Sequence, residues 1–184
     1  MLVRLHVPSA RRQREFLAAV RRSRALHRPW VYPPATPEDY RRYLRALRRP
    51  THVGYFVCSA SGELLGVINI NQIVRGRLQS GYLGYYAFTP HSGCGYMSAG
   101  LALALDRAFR RLRLHRLEAN VQPGNAASIQ LVCRLGFRWE GVALRYLKIG
   151  GRWRDHERWG LTAEDWRHRG GGGRKCSGRA ISHG

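Results

Sequence analysis

Lysine is almost absent from this 184-residue sequence. Of 32 basic residues, only Lys148 and Lys175 are lysine and 30 are arginine, set against 11 acids for a formal charge of +21. GC-rich codon usage produces the same imbalance across a whole proteome, so charge alone does not make the chain a nucleic-acid binder. It still steers acidic partners at low salt. Long apolar runs are also missing. No stretch of about 18 such residues exists, which excludes a helix spanning a membrane. The first residues, Met1-Leu2-Val3-Arg4-Leu5-His6, lack an apolar signal core and a cleavage site, so a cytoplasmic protein is expected. Cysteine is scarce: Cys58, Cys94, Cys133 and Cys176 show no CxxC and no Cys/His ligand spacing. This argues against a disulfide scaffold and a zinc module, and predicts reduced thiols and no metal.

What is present suffices for one domain with a buried core, since 44% of the residues are hydrophobic. Residues 2–7 alternate like a short strand. Ser9 is a candidate cap for a helix from about Ala10 to Arg24, with Phe16, Leu17 and Val20 on one face. A Pro-rich loop carrying Trp30 and Tyr32 follows. Thr36-Pro37-Glu38-Asp39 then starts a second helix that stops near Pro50. The period changes to two at Val53–Ser59 and Leu64–Asn71, which read as strands joined by a turn at 60–63. A Tyr-rich strand is predicted at Gln79–Phe88, a helix at 96–111, a strand at Arg116–Val121 and a short helix at Ala126–Arg134. The last strands close through a hairpin at Gly150-Gly151, with Arg154–Thr162 returning. From Arg167 the chain turns Gly- and Arg-rich. A domain over 1–166 and a disordered tail over 167–184 are expected.

Two segments carry chemical signal. Gly93-Cys94-Gly95 precedes a helix, where small residues let backbone N–H groups approach an anion at the positive end of the helix dipole. Alone this is weak. No Lys-Ser/Thr follows as in a Walker loop, and the third Gly of a dinucleotide fingerprint is missing. About 30 residues on come Pro123-Gly124-Asn125-Ala126-Ala127-Ser128 and then Leu135-Gly136-Phe137. An Asn there also serves as a plain helix cap.

As an ordered set, these segments resemble the acetyl-CoA-dependent N-acetyltransferase superfamily known as GNAT. Several further stretches are similar to its RimJ/RimL branch: Val74-Arg75-Gly76, Tyr82-Leu83-Gly84-Tyr85, His115–Asn120, Glu140-Gly141, Tyr146-Leu147, Gly151–His156 and Leu161–Trp166. The resemblance covers roughly residues 53–166. It implies an α+β fold, a twisted and mostly antiparallel sheet with splayed central strands, flanked by about four helices. It implies acetyl-CoA as cosubstrate, held by the loop Ser92-Gly93-Cys94-Gly95-Tyr96-Met97. Ser92 stands where the family has Gln or Arg.

The resemblance also implies that backbone groups around Ala87 and Phe88 hold the pantetheine arm, with Asn125 and Ser128 beside it. The proton acceptor is open. The usual Glu position is Asn120. Glu118, two residues earlier on the same face, is a candidate acting through water and is equally suited to an arginine ion pair. The usual Tyr position is Val132, and Ser128, which by the resemblance aligns with a serine proposed as the acid in RimL-type relatives, is the candidate acid. Ser128 is also an ordinary second-turn residue. Trp30, Tyr32 and Tyr85 are expected to contact the acceptor, although tyrosines in a strand also simply pack. In the run 152–157, Asp155 and Glu157 share one strand face and His156 the other. There Asp155 is expected to fix the hairpin through an Arg, and Trp153 to pack.

The acceptor implied by the branch is the N-terminal alanine of a ribosomal protein. Alternatives are a small amine, or a basic RNA- or ribosome-binding protein with a degenerate site. Residues 1–50 hold 13 Arg against 3 acids. Any RNA contact is therefore expected on the N-terminal helices. A monomer or a homodimer is expected.

Overall fold

A computed structural model describes residues 2–168. The elements in order are β1 (Val3–His6), α1 (Gln13–Arg22), α2 (Arg24–His27), α3 (Pro37–Ala46), β2 (Val53–Ser59), β3 (Leu64–Val74), β4 (Ser80–Ala87), α4 (Tyr96–Asp106), β5 (Arg116–Val121), α5 (Ala126–Arg134), β6 (Arg138–Ile149), β7 (Arg152–Thr162) and α6 (Ala163–His168). Seven strands form one sheet in the order β1-β2-β3-β4-β5-β7-β6. Among the described residues only β4 and β5 pair in parallel. The fold is the expected mixed, mostly antiparallel α+β sheet, with six helices where about four were foreseen.

The extra helices have local causes. Ser23 interrupts the first predicted helix because it is fully buried and its Oγ accepts the N–H of Thr89 at 2.9 Å. The chain then makes one more turn, α2, instead of entering the loop at Arg24. Ser9 makes no side-chain cap, and residues 10–12 form a 3-10 turn. Thr36 does cap α3, its Oγ1 accepting the N–H of Asp39 at 3.1 Å. The sixth helix, α6, includes Arg167 and His168, which composition had assigned to the tail. The rest of the tail, residues 169–184, lies outside the described residues.

Two apolar clusters sandwich the sheet. On one face Leu101, Ala104 and Leu105 of α4 and Ile129 and Val132 of α5 pack on Val57, Ile68, Leu83, Leu117 and Ala119. On the other face, Phe16, Leu17 and Val20 of α1 and Tyr40 of α3 pack on Phe56, Val67, Tyr86 and Phe88. Burial of side chains this large contributes about 2–3 kcal/mol each before entropy is counted. Among the described residues no helix is long and apolar enough to cross a membrane.

The sheet is continuous only up to its middle. β4 and β5 pair from Ser80↔Arg116 to Leu83↔Ala119 and no further. Gly84–Ala87 stay on β3, through Ile68↔Tyr85 and Gly66↔Ala87. Asn120 and Val121 stay on β7, through Asn120↔Arg158 and Val121↔Glu157. The two strands therefore part at Leu83 and Ala119 and leave a gap between the helix-bearing faces. This is the expected splay.

Candidate functional site

A cleft of about 650 Å³ runs through that gap, within the range of small-molecule sites. On the α4/α5 face its wall includes Ser92, Gly93, Gly95, Met97, Asn125 and Ser128. On the α1–α3 face it includes His27, Trp30, Tyr82, Asn120, Tyr146 and His156. Among the described residues no Asp or Glu lines it.

The glycine loop closes one end. Gly93 and Gly95 both have φ +81, a conformation costly for any residue with a Cβ. Gly95 is the N-terminal cap of α4, so the loop presents first-turn N–H groups of that helix to the cleft. The loop contains no Lys or Arg, and neighbouring His91 pairs with Glu63 at 2.8 Å. Cys94 and Tyr96 belong to the loop but not to the cleft wall. Cys94 is an exposed free thiol and Tyr96 packs edge-on against His91.

In the gap itself, backbone direction matters more than side chains. The Phe88 N–H donates to Leu65 C=O at 2.8 Å, so that group faces β3. By the alternation of an antiparallel ladder, the N–H and C=O of Tyr85 and Ala87 face the other way, into the gap. His27 Nε2–H donates to Ala87 C=O at 2.8 Å. The Ala87–Phe88 peptide is thus held from both sides. Phe88 is accordingly not a cleft residue: its N–H is used and its ring is fully buried against Phe16 and Tyr86.

Beside the gap, Asn125 Oδ1 accepts the Ser128 N–H at 3.2 Å and caps α5. Ser128 Oγ meets Tyr85 Oη at 2.6 Å, a bridge from α5 to β4. Burial pushes the Tyr85 hydroxyl up to about 12, although the Ser128 contact works against the rise. Tyr85 thus belongs with Ser128 on the α4/α5 face, whereas Trp30 of the 28–34 loop stands on the other.

Across the sheet, Glu118 sits apart from the wall, between Arg116 Nε at 3.0 Å and Arg158 Nη2 at 2.9 Å. Burial alone would raise its carboxyl. Hydrogen bonds from Arg158 and Arg116 outweigh that and hold it below the ordinary range. A carboxylate so stabilised in its charged form is a poor proton acceptor. Asn120 does line the cleft, and its Oδ1 is buried with no hydrogen-bond partner among the described residues.

The residue that sequence reasoning passed over is His156. It is 3% exposed and lines the cleft. Its Nδ1–H donates to Arg154 C=O at 2.9 Å. That bond fixes the tautomer and leaves Nε2 as the lone-pair nitrogen, with Tyr146 edge-on at 6.2 Å. Burial lowers its pKa, so the ring is neutral at pH 7. Strand alternation did set His156 opposite Asp155. It did not reveal that this face looks into the gap. Asp155 takes the backbone N–H of Arg145 at 2.6 Å rather than an Arg side chain, and Trp153 is 60% exposed rather than packed.

The 28–34 loop forms the lip. Trp30 lines the cleft, its ring within 3.2 Å of where a Cβ on Gly124 would lie, and its C=O accepts from Gln122 Nε2. Tyr32 instead covers the β6–β7 turn at Gly150 and lies outside the wall. Among the described residues no three His, Cys, Asp or Glu side chains gather as metal ligands.

Residues 4–138 match the family described as acetyltransferase (GNAT) domain. The [ribosomal protein uS5]-alanine N-acetyltransferase of Escherichia coli (strain K12) is 42% identical over 104 residues, 56% of this chain and 54% of its own length. The probable N-acetyltransferase YjcK of Bacillus subtilis (strain 168) is 41% identical over 106 residues, 58% of either chain. The matched stretches thus span little more than half of these relatives. Among solved structures, Mycobacterium smegmatis RimJ in complex with CoA-disulfide superposes with a TM-score of 0.82 at 28% identity, over 95% of this chain and 91% of that one. Spermidine N-acetyltransferase from Vibrio cholerae, in complex with CoA and spermine, shares the fold with a TM-score of 0.77 at 20% identity, over 90% and 98% of the two chains. The chain belongs to the acetyltransferase (GNAT) domain family.

Proposed function

We propose that the chain is an acetyl-CoA-dependent N-acetyltransferase whose acceptor is a peptide α-amine, the N-terminal alanine of a ribosomal protein. The observation that carries this is the acid-free cleft through the β4/β5 gap, with a glycine loop on one face and a neutral imidazole on the other. The residues present fit CoA. Gly93 and Gly95 offer backbone donors to its phosphates, and the gap-facing N–H and C=O of Tyr85 suit an amide of an extended pantetheine chain. Asn125 and Ser128 flank that path. When bound, acetyl-CoA supplies the activated acyl group.

The reaction joins the amine nitrogen to the acyl carbon, breaks the C–S bond and moves one proton from nitrogen to sulfur. An α-amine has a pKa of about 7.7–8.0, so roughly a tenth is already neutral at pH 7. A weak, well-placed acceptor suffices, and His156 Nε2 fills that role, directly or through one water. Asn120 Oδ1, buried without a partner, orients the amine by accepting its remaining hydrogen. The gap-facing N–H of Ala87, steadied by His27, polarises the carbonyl. Tyr85 stands near the leaving group. Its pKa of about 12 lies some 3.5 units above a thiol near 8.5, so giving up its proton outright costs about 5 kcal/mol. Tyr85, held by Ser128, therefore donates a hydrogen bond to the departing sulfur, and the proton comes from the amine.

The lack of acids on the wall weighs against a polyamine acceptor, because a polycation would enter a field of its own sign. A ribosomal acceptor is further supported by α1 and α3, which expose Arg14, Arg21, Arg22, Arg41 and Arg45. In the test, purified chain is incubated with acetyl-CoA and Ala-led peptides while free thiol and peptide mass are followed. One acetyl group on the α-amine is expected. No acetylation of any Ala-led peptide would sink the proposal.

A further inference from the structure

The glycine loop has the backbone of a phosphate site but no cationic side chain. Its first position, Ser92, is short, and no Lys or Arg occurs between Thr89 and Ser98. Backbone N–H groups alone leave a multiply charged pyrophosphate without a counter-charge. A cation nearby comes from another element.

Arg134 closes α5. It lies where the cleft opens into a second groove of about 710 Å³, and Gly95, Ser98 and Arg134 line both. The other arginines of that groove are engaged. Arg110 lies 3.8 Å from Asp106, and Arg167 bonds Glu164 and the Ala163 carbonyl. Arg134 is exposed and makes no ion pair or hydrogen bond among the described residues. It is an uncommitted guanidinium beside the loop.

The dimensions agree. The nine residues of α5 span about 13 Å. Asn125 and Ser128 mark one end, at the gap, and Arg134 the other. A pantetheine arm is comparable with about four extended residues, or roughly 14 Å. An arm laid along α5 with its thioester at the gap brings the nucleotide phosphates level with Arg134.

We propose that Arg134 supplies the phosphate-directed cation that the loop lacks, gripping a phosphate of the CoA nucleotide from the C-terminal end of α5. The inference rests on the CoA reading above and adds a specific side chain to it. A guanidinium matches a phosphate in two parallel N–H···O bonds, so lysine replaces it only in part.

Calorimetric titration of CoA and of dephospho-CoA, which lacks the 3′-phosphate, into the full chain and its Arg134→Gln and Arg134→Lys variants tests this. Arg134→Gln is expected to weaken CoA binding about tenfold to a hundredfold. The unliganded melting temperature stays unchanged, and Arg134→Lys recovers part of the loss. An equal loss with both ligands assigns the contact to the pyrophosphate. A loss confined to CoA assigns it to the 3′-phosphate. CoA binding by Arg134→Gln equal to that of the unaltered chain would overturn the proposal alone. Failure of the unaltered chain to bind CoA would overturn the CoA reading with it.

Discussion

At the scale of single residues, two ionisable side chains on one sheet face differ in what surrounds them. Glu118 is locked in its charged form by two guanidinium groups, and His156 is kept neutral by burial with one nitrogen pinned. Replacing His156 by Gln is expected to lower kcat/KM about a hundredfold or more, and to remove the limb that His156 sets below pH 6.5, leaving the slope set by the acceptor amine at about 7.7–8.0. Steady-state kinetics across pH checks both. Glu118→Gln is expected to leave that limb in place while costing about 2 kcal/mol of stability, because Arg158 loses its charged partner and Arg116 keeps only Glu140. Urea denaturation with the pH profile separates the two roles. The sequence made Glu118 a candidate through its place near Asn125. His156 became visible only once β7 was known to lie beside β5, a non-local pairing that no local pattern encodes.

At the scale of elements, the splay and the helix packing do the positioning. Gly100 of α4 sits where a Cβ would lie 2.8 Å from both Cγ atoms of Val57. Gly100→Ala therefore pushes α4 off β2 and is expected to cost about 1–3 kcal/mol, seen in a thermal melt as a drop of several degrees. Gly95→Ala removes the freedom for φ +81. It is expected to weaken CoA binding more than it lowers the melting temperature, because the loop carries little of the core. Most elements were legible from period and punctuation: Thr36-Pro37 opens α3, and Gly150-Gly151 turns β6 into β7. The misses have tertiary causes. Ser23 breaks the first helix because it serves Thr89. β3 runs on to Val74 past Asn71 through a bulge opposite β4.

At the scale of the whole molecule, two buried imidazoles make stability depend on pH. Burial lowers the pKa of both His27 and His156. Between those lowered values and the unfolded value of 6.5, the unfolded chain binds more protons than the folded one. Stability is therefore complete above pH 6.5 and falls as the pH drops below it. A melting series from pH 8 to 5 is expected to show that decline, and His27→Gln to flatten part of it. The charge of +21 takes on a location. Exposed arginines sit on α1–α3 and no Asp or Glu among the described residues lines the cleft; under the proposed function, this charge distribution suits a neutral amine presented on a chain beside an anionic surface. The glycine loop and the Asn-led helix were legible in the sequence. The absence of carboxylates from the wall was not, because it depends on which strand faces meet across the gap. The most direct measurement is the ratio of kcat/KM for an Ala-led peptide to that for spermidine, at fixed acetyl-CoA and low salt. A ratio of about a hundred or more is expected. Turnover of spermidine equal to or above that of the peptide would contradict the assignment.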